Sequence, residues 1–127
     1  MINVLIVSTN KEAFSDFTAA FQTHGDVQTT WAESGARALA TIGEKTFGLV
    51  IADETLEDMT GLEFARKVVA ANPFVNCALT SGLSDHDFHE ATEGLGILMQ
   101  LPLSPGAEHA EQLREHFKKI RNLIAGS

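Results

Sequence analysis

The chain has 127 residues, 44% of them hydrophobic and 20% charged, and carries 9 basic against 17 acidic side chains for a formal charge of −8. That is enough chain for one domain with a core, and too apolar for a disordered segment. The acidic balance sets the surface against phosphate backbones and anionic lipid, and no run approaches the ~20 apolar residues of a membrane span.

The opening residues "MINVLIVSTN" lack a basic start and a small-residue cleavage site, so they do not read as a signal peptide. Asn3–Val7 reads instead as a first strand, continuously apolar as a strand buried on both faces must be. Thr9-Asn10-Lys11-Glu12 has the pattern of a capping box with Thr9 as the cap. It opens a helix with Phe14, Phe17 and Phe21 on one face, closed by His24-Gly25-Asp26. Val27–Trp31 alternates like an edge strand. Ser34 starts a second helix, with Ala36, Leu39, Ala40 and Gly43 as its apolar face.

Phe47–Ala52 is the third predicted strand, and it delivers one carboxylate, Asp53, at its end. Thr60-Gly61-Leu62-Glu63 is a second capping box, followed by a helix with Leu62, Ala65 and Val69 inward and a stop at Asn72-Pro73. Val75–Thr80 is the fourth strand. It contains Cys77, the only cysteine, which reads as a small core residue; with no disulfide available the chain fits a reducing, cytoplasmic compartment. Ser84 and Asp87 start a short helix that ends at "EGLG". Ile97–Leu101 is the fifth strand. Ser104-Pro105 opens the last helix with proline at its first position, and Leu113, Phe117, Ile120 and Ile124 form its buried stripe.

Five strands alternating with five helices predict one α/β domain over residues 1–127, a doubly wound parallel sheet with right-handed crossovers. Ligands of such sheets meet the carboxyl ends of the strands at the switch point of strand order. Those ends carry Ser8-Thr9, Asp53, Thr80-Ser81 and Leu101-Pro102.

The block "LVIADETLEDMTGLEF" gives an apolar strand, Asp53, Met59 and then Gly61-Leu62-Glu63. With Thr80 in "ALTSG" and Pro102 after the fifth strand, the whole chain resembles a response-regulator receiver domain, the CheY-like module of two-component phosphorelay signalling. The resemblance implies a flavodoxin-like (βα)5 sheet of strand order 2-1-3-4-5. It also implies Asp53 as phosphoacceptor, Thr80 as switch hydroxyl, and a cis peptide before Pro102. Three departures stand out. The family's acidic pair after the first strand is replaced by Ser8 and Thr9. Its lysine before the proline is replaced by Leu101, with Gln100 preceding it. Its aromatic switch position falls near Leu98, and the chain has no tyrosine. A smaller change puts Leu56-Glu57 where the family has Met-Pro.

Phosphoryl transfer to a carboxylate depends on positioning and on neutralising charge. In the family a Mg²⁺ bridges the acceptor, the acidic pair and the phosphoryl oxygens, and the lysine balances a further oxygen. Ser8, Thr9 and Leu101 supply none of that charge. The residues therefore predict a pseudo-receiver with weak or absent phosphorylation of Asp53. No cofactor is expected, Mg²⁺ only where phosphorylation is retained, and Asp53 alone is a weak candidate metal ligand. Thr9 would then act as a helix cap worth ~1 kcal/mol. The partners implied are proteins: a histidine kinase, a phosphotransfer protein or an output protein. They would dock on the fourth helix, fifth strand and fifth helix, and a homodimer would use the last two helices. No enzymatic role, direct nucleic-acid contact or membrane contact is implied.

Other residues attract attention. Glu54, Glu57 and Asp58 could lend charge to a metal, against the simpler reading of a solvated loop. His86 and His89, three apart in "DHDFHE", suit a shared metal but show no third ligand. His109 and His116 share a helical face, and Trp31 is either a contact residue or part of the core. Two other functions compete. "IADET" is similar to the strand-end nucleophile of haloacid-dehalogenase phosphatases, but Thr55 replaces the second acid. A flavodoxin-type flavin site would use "STNKEAF", which lacks the glycine that lets amides wrap a phosphate.

Overall fold

The computed structural model describes residues 2–126, with side chains for residues 2–120. Strands β1 (Ile2–Val7), β2 (Val27–Ala32), β3 (Leu49–Ala52), β4 (Asn76–Thr80) and β5 (Met99–Leu101) alternate with five helices. These are α1 (Ser15–Gln22), α2 (Gly35–Glu44), α3 (Gly61–Ala71), α4 (Asp85–Ala91) and α5 (Ala107–Gly126). All neighbouring strands are parallel, in the order β2-β1-β3-β4-β5, as the alternation and the resemblance predict.

The period-2 geometry of the strands splits their apolar runs between two layers. Val4 and Ile6 of β1 with Leu49 and Ile51 of β3 face Phe14, Phe17 and Phe21 and the Leu113–Phe117 stripe of α5. Leu5 and Val7 with Val50 and Ala52 face Ala38 of α2 and Phe64, Ala65 and Val68 of α3. Both faces of β1 and β3 are therefore dry, and this is why their sequences do not alternate with polar residues.

Several boundaries differ from the sequence reading. The cap at the first helix is Asn10, whose Oδ1 accepts from the Ala13 amide at 3.3 Å; Thr9 is exposed. A 3₁₀ turn over Lys11–Phe14 precedes α1. The shift has a local cause: the Ser8 hydroxyl takes the Asn10 amide at 3.0 Å and holds Thr9 in the loop. The buried face of α2 is Gly35 and Ala38 with Leu39 and Ile42 beside them, while Ala36, Ala40 and Gly43 are exposed. In α3 the anchors are Phe64, Ala65 and Val68, with Leu62 and Val69 only half-buried. Pro105 lies ahead of α5, which starts at Ala107. There Gly106 and His109 close the end reciprocally, the Gly106 amide donating to His109 Nδ1 at 2.9 Å. Strands β3, β4 and β5 are each shorter at their starts than predicted. Ile124 lies outside the described side chains, and Ile120 is half-buried.

One loop contact ties the β3–α3 connection to α2. The Asp58 carboxylate accepts from the Gly35 amide at 2.7 Å and the Ala36 amide at 3.0 Å, capping the helix in trans, while Met59 fills the space over Gly35. These backbone bonds, the Gly35 bond foremost, hold the Asp58 carboxyl below the ordinary aspartate range. A depressed folded value means that the unfolded chain binds more protons in that window. The contribution is thus complete above about pH 4, the unfolded value, and fades as pH falls through the folded one. Asp58→Asn is expected to lower the urea midpoint at neutral pH, and the gap from the unmodified chain should close on acidification. A gap constant with pH would refute the ionic cap.

Candidate functional site

Chain order reverses between β1 and β3: from β1 the chain moves outward to β2, then returns to β3 on the other side. The carboxyl ends of these two neighbours form the crevice where Ser8 and Asp53 meet. The ladder runs one residue past each strand, the Asp53 amide donating to Val7 O at 2.9 Å and the Ser8 amide to Ala32 O at 3.0 Å. Both residues are therefore fixed by backbone before their side chains interact.

The Asp53 carboxylate is held by neutral donors on both oxygens. Ser8 Oγ donates to Oδ2 at 2.9 Å. The same oxygen accepts from the Asn10 amide at 3.0 Å, and the Asn10 carbonyl oxygen, at 3.4 Å, is a longer second acceptor for its proton. Thr80 Oγ1 donates to Oδ1 at 2.5 Å and accepts from the Glu54 amide at 2.8 Å; that amide also reaches Oδ1 at 3.0 Å. Ser8 and Thr80 are each 1% exposed, so water competes little for these bonds. Gly61 completes the arrangement. Its amide donates to Glu54 O at 2.9 Å, and a Cβ there would lie 2.2 Å from the Asp53 carbonyl oxygen.

Of the residues singled out from the sequence, Asp53, Ser8 and Thr80 converge, and Thr9 and Leu101 do not. Leu101 is fully buried in the layer beneath α5, and Gln100 sends its amide nitrogen to Leu83 O at 2.9 Å. Leu98 is half-buried on the same side. Glu54 Oε2 accepts from the Gly82 amide at 3.2 Å and Asp58 caps α2, so neither turns to Asp53; Glu57 is exposed. There are no cis peptides among the described residues, so the Leu101–Pro102 bond is trans, against the expectation from resemblance. The Glu54 amide escaped the sequence reading because a backbone donor leaves no mark in residue types.

Residues 4–101 match the family model described as the response regulator receiver domain. The chain belongs to that family. The fold of this receiver agrees with many solved ones. A two-component response regulator from Clostridium difficile superposes with TM-score 0.82 at 13% identity, covering 96% of this chain and 99% of that one. The chemotaxis response regulator CheY4 of Vibrio cholerae gives 0.80 at 19%, covering 92% and 98%. The signal receiver domain of an HD domain-containing protein from Pseudomonas fluorescens Pf-5 gives 0.74 at 18%, covering 95% and 92%. No curated protein matches the sequence significantly. The family is a signalling module that works through protein partners in two-component systems.

The receiver's remaining candidates lie elsewhere. His86, Asp87 and Glu90 cluster on exposed α4, with His86 Nε2 3.2 Å from Glu90, and His89 stands outside the group. Cys77 is buried and its thiol is pushed up to about 12, so it is no nucleophile at neutral pH. Trp31 is half-buried, edge-on to Phe14. Among the described residues no helix is long and apolar enough to cross a membrane.

Proposed function

We propose that this receiver is an atypical one, in which Asp53 is a poor phosphoacceptor and signalling runs through protein contacts. The observation that carries the reading is the neutral cradle: two hydroxyls and one amide occupy the Asp53 carboxylate. Phosphoryl transfer needs one carboxylate oxygen free to attack and cations to balance the equatorial oxygens. Here both oxygens are engaged, and hydrogen bonds to the ionised form stabilise the ground state that must be left. The family's Mg²⁺ does not suit this donor set. Magnesium takes six oxygens and is usually held by one or two carboxylates besides water and phosphate, and here Asp53 is the one carboxylate in the cradle, with both of its oxygens already accepting from neutral donors. Leu101 brings no cation. Two missing charged contacts together cost about 3–6 kcal/mol, or roughly two to four orders of magnitude in rate.

The partner is then recognised by surface. A histidine kinase, a phosphotransfer protein or an output protein is the class that the family supports. The face of α4, β5 and α5, where Asp85, Gln100, His109 and Gln112 border one depression, is the surface we assign to it. The test is intact mass after incubation with a small acyl phosphate and Mg²⁺, beside Asp53→Asn. No added phosphoryl group is the expected result; a stable gain that Asp53→Asn abolishes would overturn the reading.

A further inference from the structure

A second cavity, of about 310 Å³, opens at the outer edge of the sheet's upper rim. It lies between the 3₁₀ turn, the end of β2 and the first turn of α2, and is lined by Lys11, Trp31, Ala32, Glu33 and Arg37. The chain has nine basic residues under a net charge of −8, and two of the nine converge here. Neither forms an ion pair among the described residues. Against the single Glu33 carboxylate they leave one net positive charge among the lining residues, on a chain whose net charge is −8. The Lys11 ammonium sits 5.5 Å from the Trp31 ring centroid, and Phe14 props that ring edge-on at 6.0 Å. The indole thereby places the ammonium at the cavity while leaving its donors for another partner. The amides of the α2 end are already used: Gly35 and Ala36 donate to Asp58, and Arg37 to Ser34 Oγ. Any attraction for an anion comes from the two side chains.

We propose that this cavity binds a small oxyanion of the phosphate-monoester class, held between the Lys11 ammonium and the Arg37 guanidinium with Trp31 as its apolar wall. A guanidinium fork matches phosphate oxygens in pairs, and an ammonium adds a point charge. The volume suits a small molecule. The site is separate from Asp53 and does not depend on whether Asp53 accepts a phosphoryl group.

The chain supplies its own reporter, since Trp31 is the single tryptophan and there is no tyrosine. Inorganic phosphate and AMP are titrated at constant ionic strength, with sodium chloride as control, and Trp31 emission is followed. A saturable change is expected, about tenfold weaker in Lys11→Gln and in Arg37→Gln. A linear change matched by chloride, or affinities untouched in both variants, would overturn the proposal. Should either variant fail to fold by circular dichroism, amide shifts of the unmodified chain decide. Shifts centred on Ala32, Glu33 and Arg37 support the site, and shifts confined elsewhere remove it. AMP binding more tightly than phosphate would place its base against Trp31; equal affinity leaves the oxyanion as the whole ligand.

Discussion

Ser8→Asp is expected to destabilise the domain by about 3–5 kcal/mol without divalent cations, and to regain most of that loss when Mg²⁺ is added. Ser8 is 1% exposed and its hydroxyl is a donor to Asp53. Replacing a donor by a second carboxylate turns an attraction into like-charge repulsion, in a place where water screens it poorly, since Ser8 is buried and Asp53 half-buried. The Asn10 amide, which now reaches Ser8 Oγ, would offset only part of this. A cation held between the two carboxylates would reverse the sign. The thermal midpoint should fall by roughly 10–20 °C and climb with added Mg²⁺. The unmodified chain should show no such rise, because a single carboxylate that already accepts three hydrogen bonds from neutral donors gives a divalent ion little to gain. A magnesium-dependent rise in the unmodified chain equal to that of Ser8→Asp would contradict the charge argument behind the proposed atypical receiver.

Gly61→Ala should cost about 3 kcal/mol. The expected sign is the informative part. In the first turn of a helix with unstrained backbone, exchanging glycine for alanine ordinarily stabilises by about 0.5–1 kcal/mol through the unfolded chain. Here the added methyl would stand 2.2 Å from the Asp53 carbonyl oxygen and 3.2 Å from its carbonyl carbon, both backbone atoms that cannot rotate away. Either α3 withdraws or the Asp53 peptide turns. A turn of that peptide would misplace the carboxylate and the Glu54 amide together. Urea unfolding measures the loss, and amide shifts at Asp53, Glu54 and Thr80 report where the strain goes. A midpoint unchanged or raised, with those amides unmoved, would show that the close approach is not needed.

The two acidic groups with depressed values share a structural role. Asp58 fastens the β3–α3 loop to α2. Asp26, held below the ordinary range first by its hydrogen bond from Arg114, fastens the α1–β2 connection to α5, where His24 and Glu111 lie 2.9 Å apart as a second link. Arg114 is 6% exposed, so the partner that neutralises it matters more for avoiding a stranded cation than for adding stability.

The sequence alone determined the alternation of strand and helix, the placement of Asp53 at the end of an apolar strand, and the loss of charge around it. These follow from local rules: a run buried on both faces cannot alternate, and Ser8, Thr9 and Leu101 are neutral whatever they touch. The phenylalanine stripe of Phe14, Phe17 and Phe21 was equally legible, because three large rings at helical spacing leave one face available to the sheet. Tertiary structure alone decided the rest. Whether Ala36 or Ala38 faces the core depends on how α2 is rotated against the sheet, where Ala38, Leu39 and Ile42 pack and Asp58, twenty-odd residues away, holds the first two amides. Asn10 displaced Thr9 as cap because Ser8 drew its amide inward. Which of the neutral residues would touch Asp53 depended on register between β1 and β3, where pairing of Val7 with Ala52 carries Ser8 to the carboxylate and leaves Thr9 in solvent. The Lys11–Arg37 cavity arises from the same cause, since side chains remote in sequence meet only once parallel pairing brings the ends of β1 and β2 level.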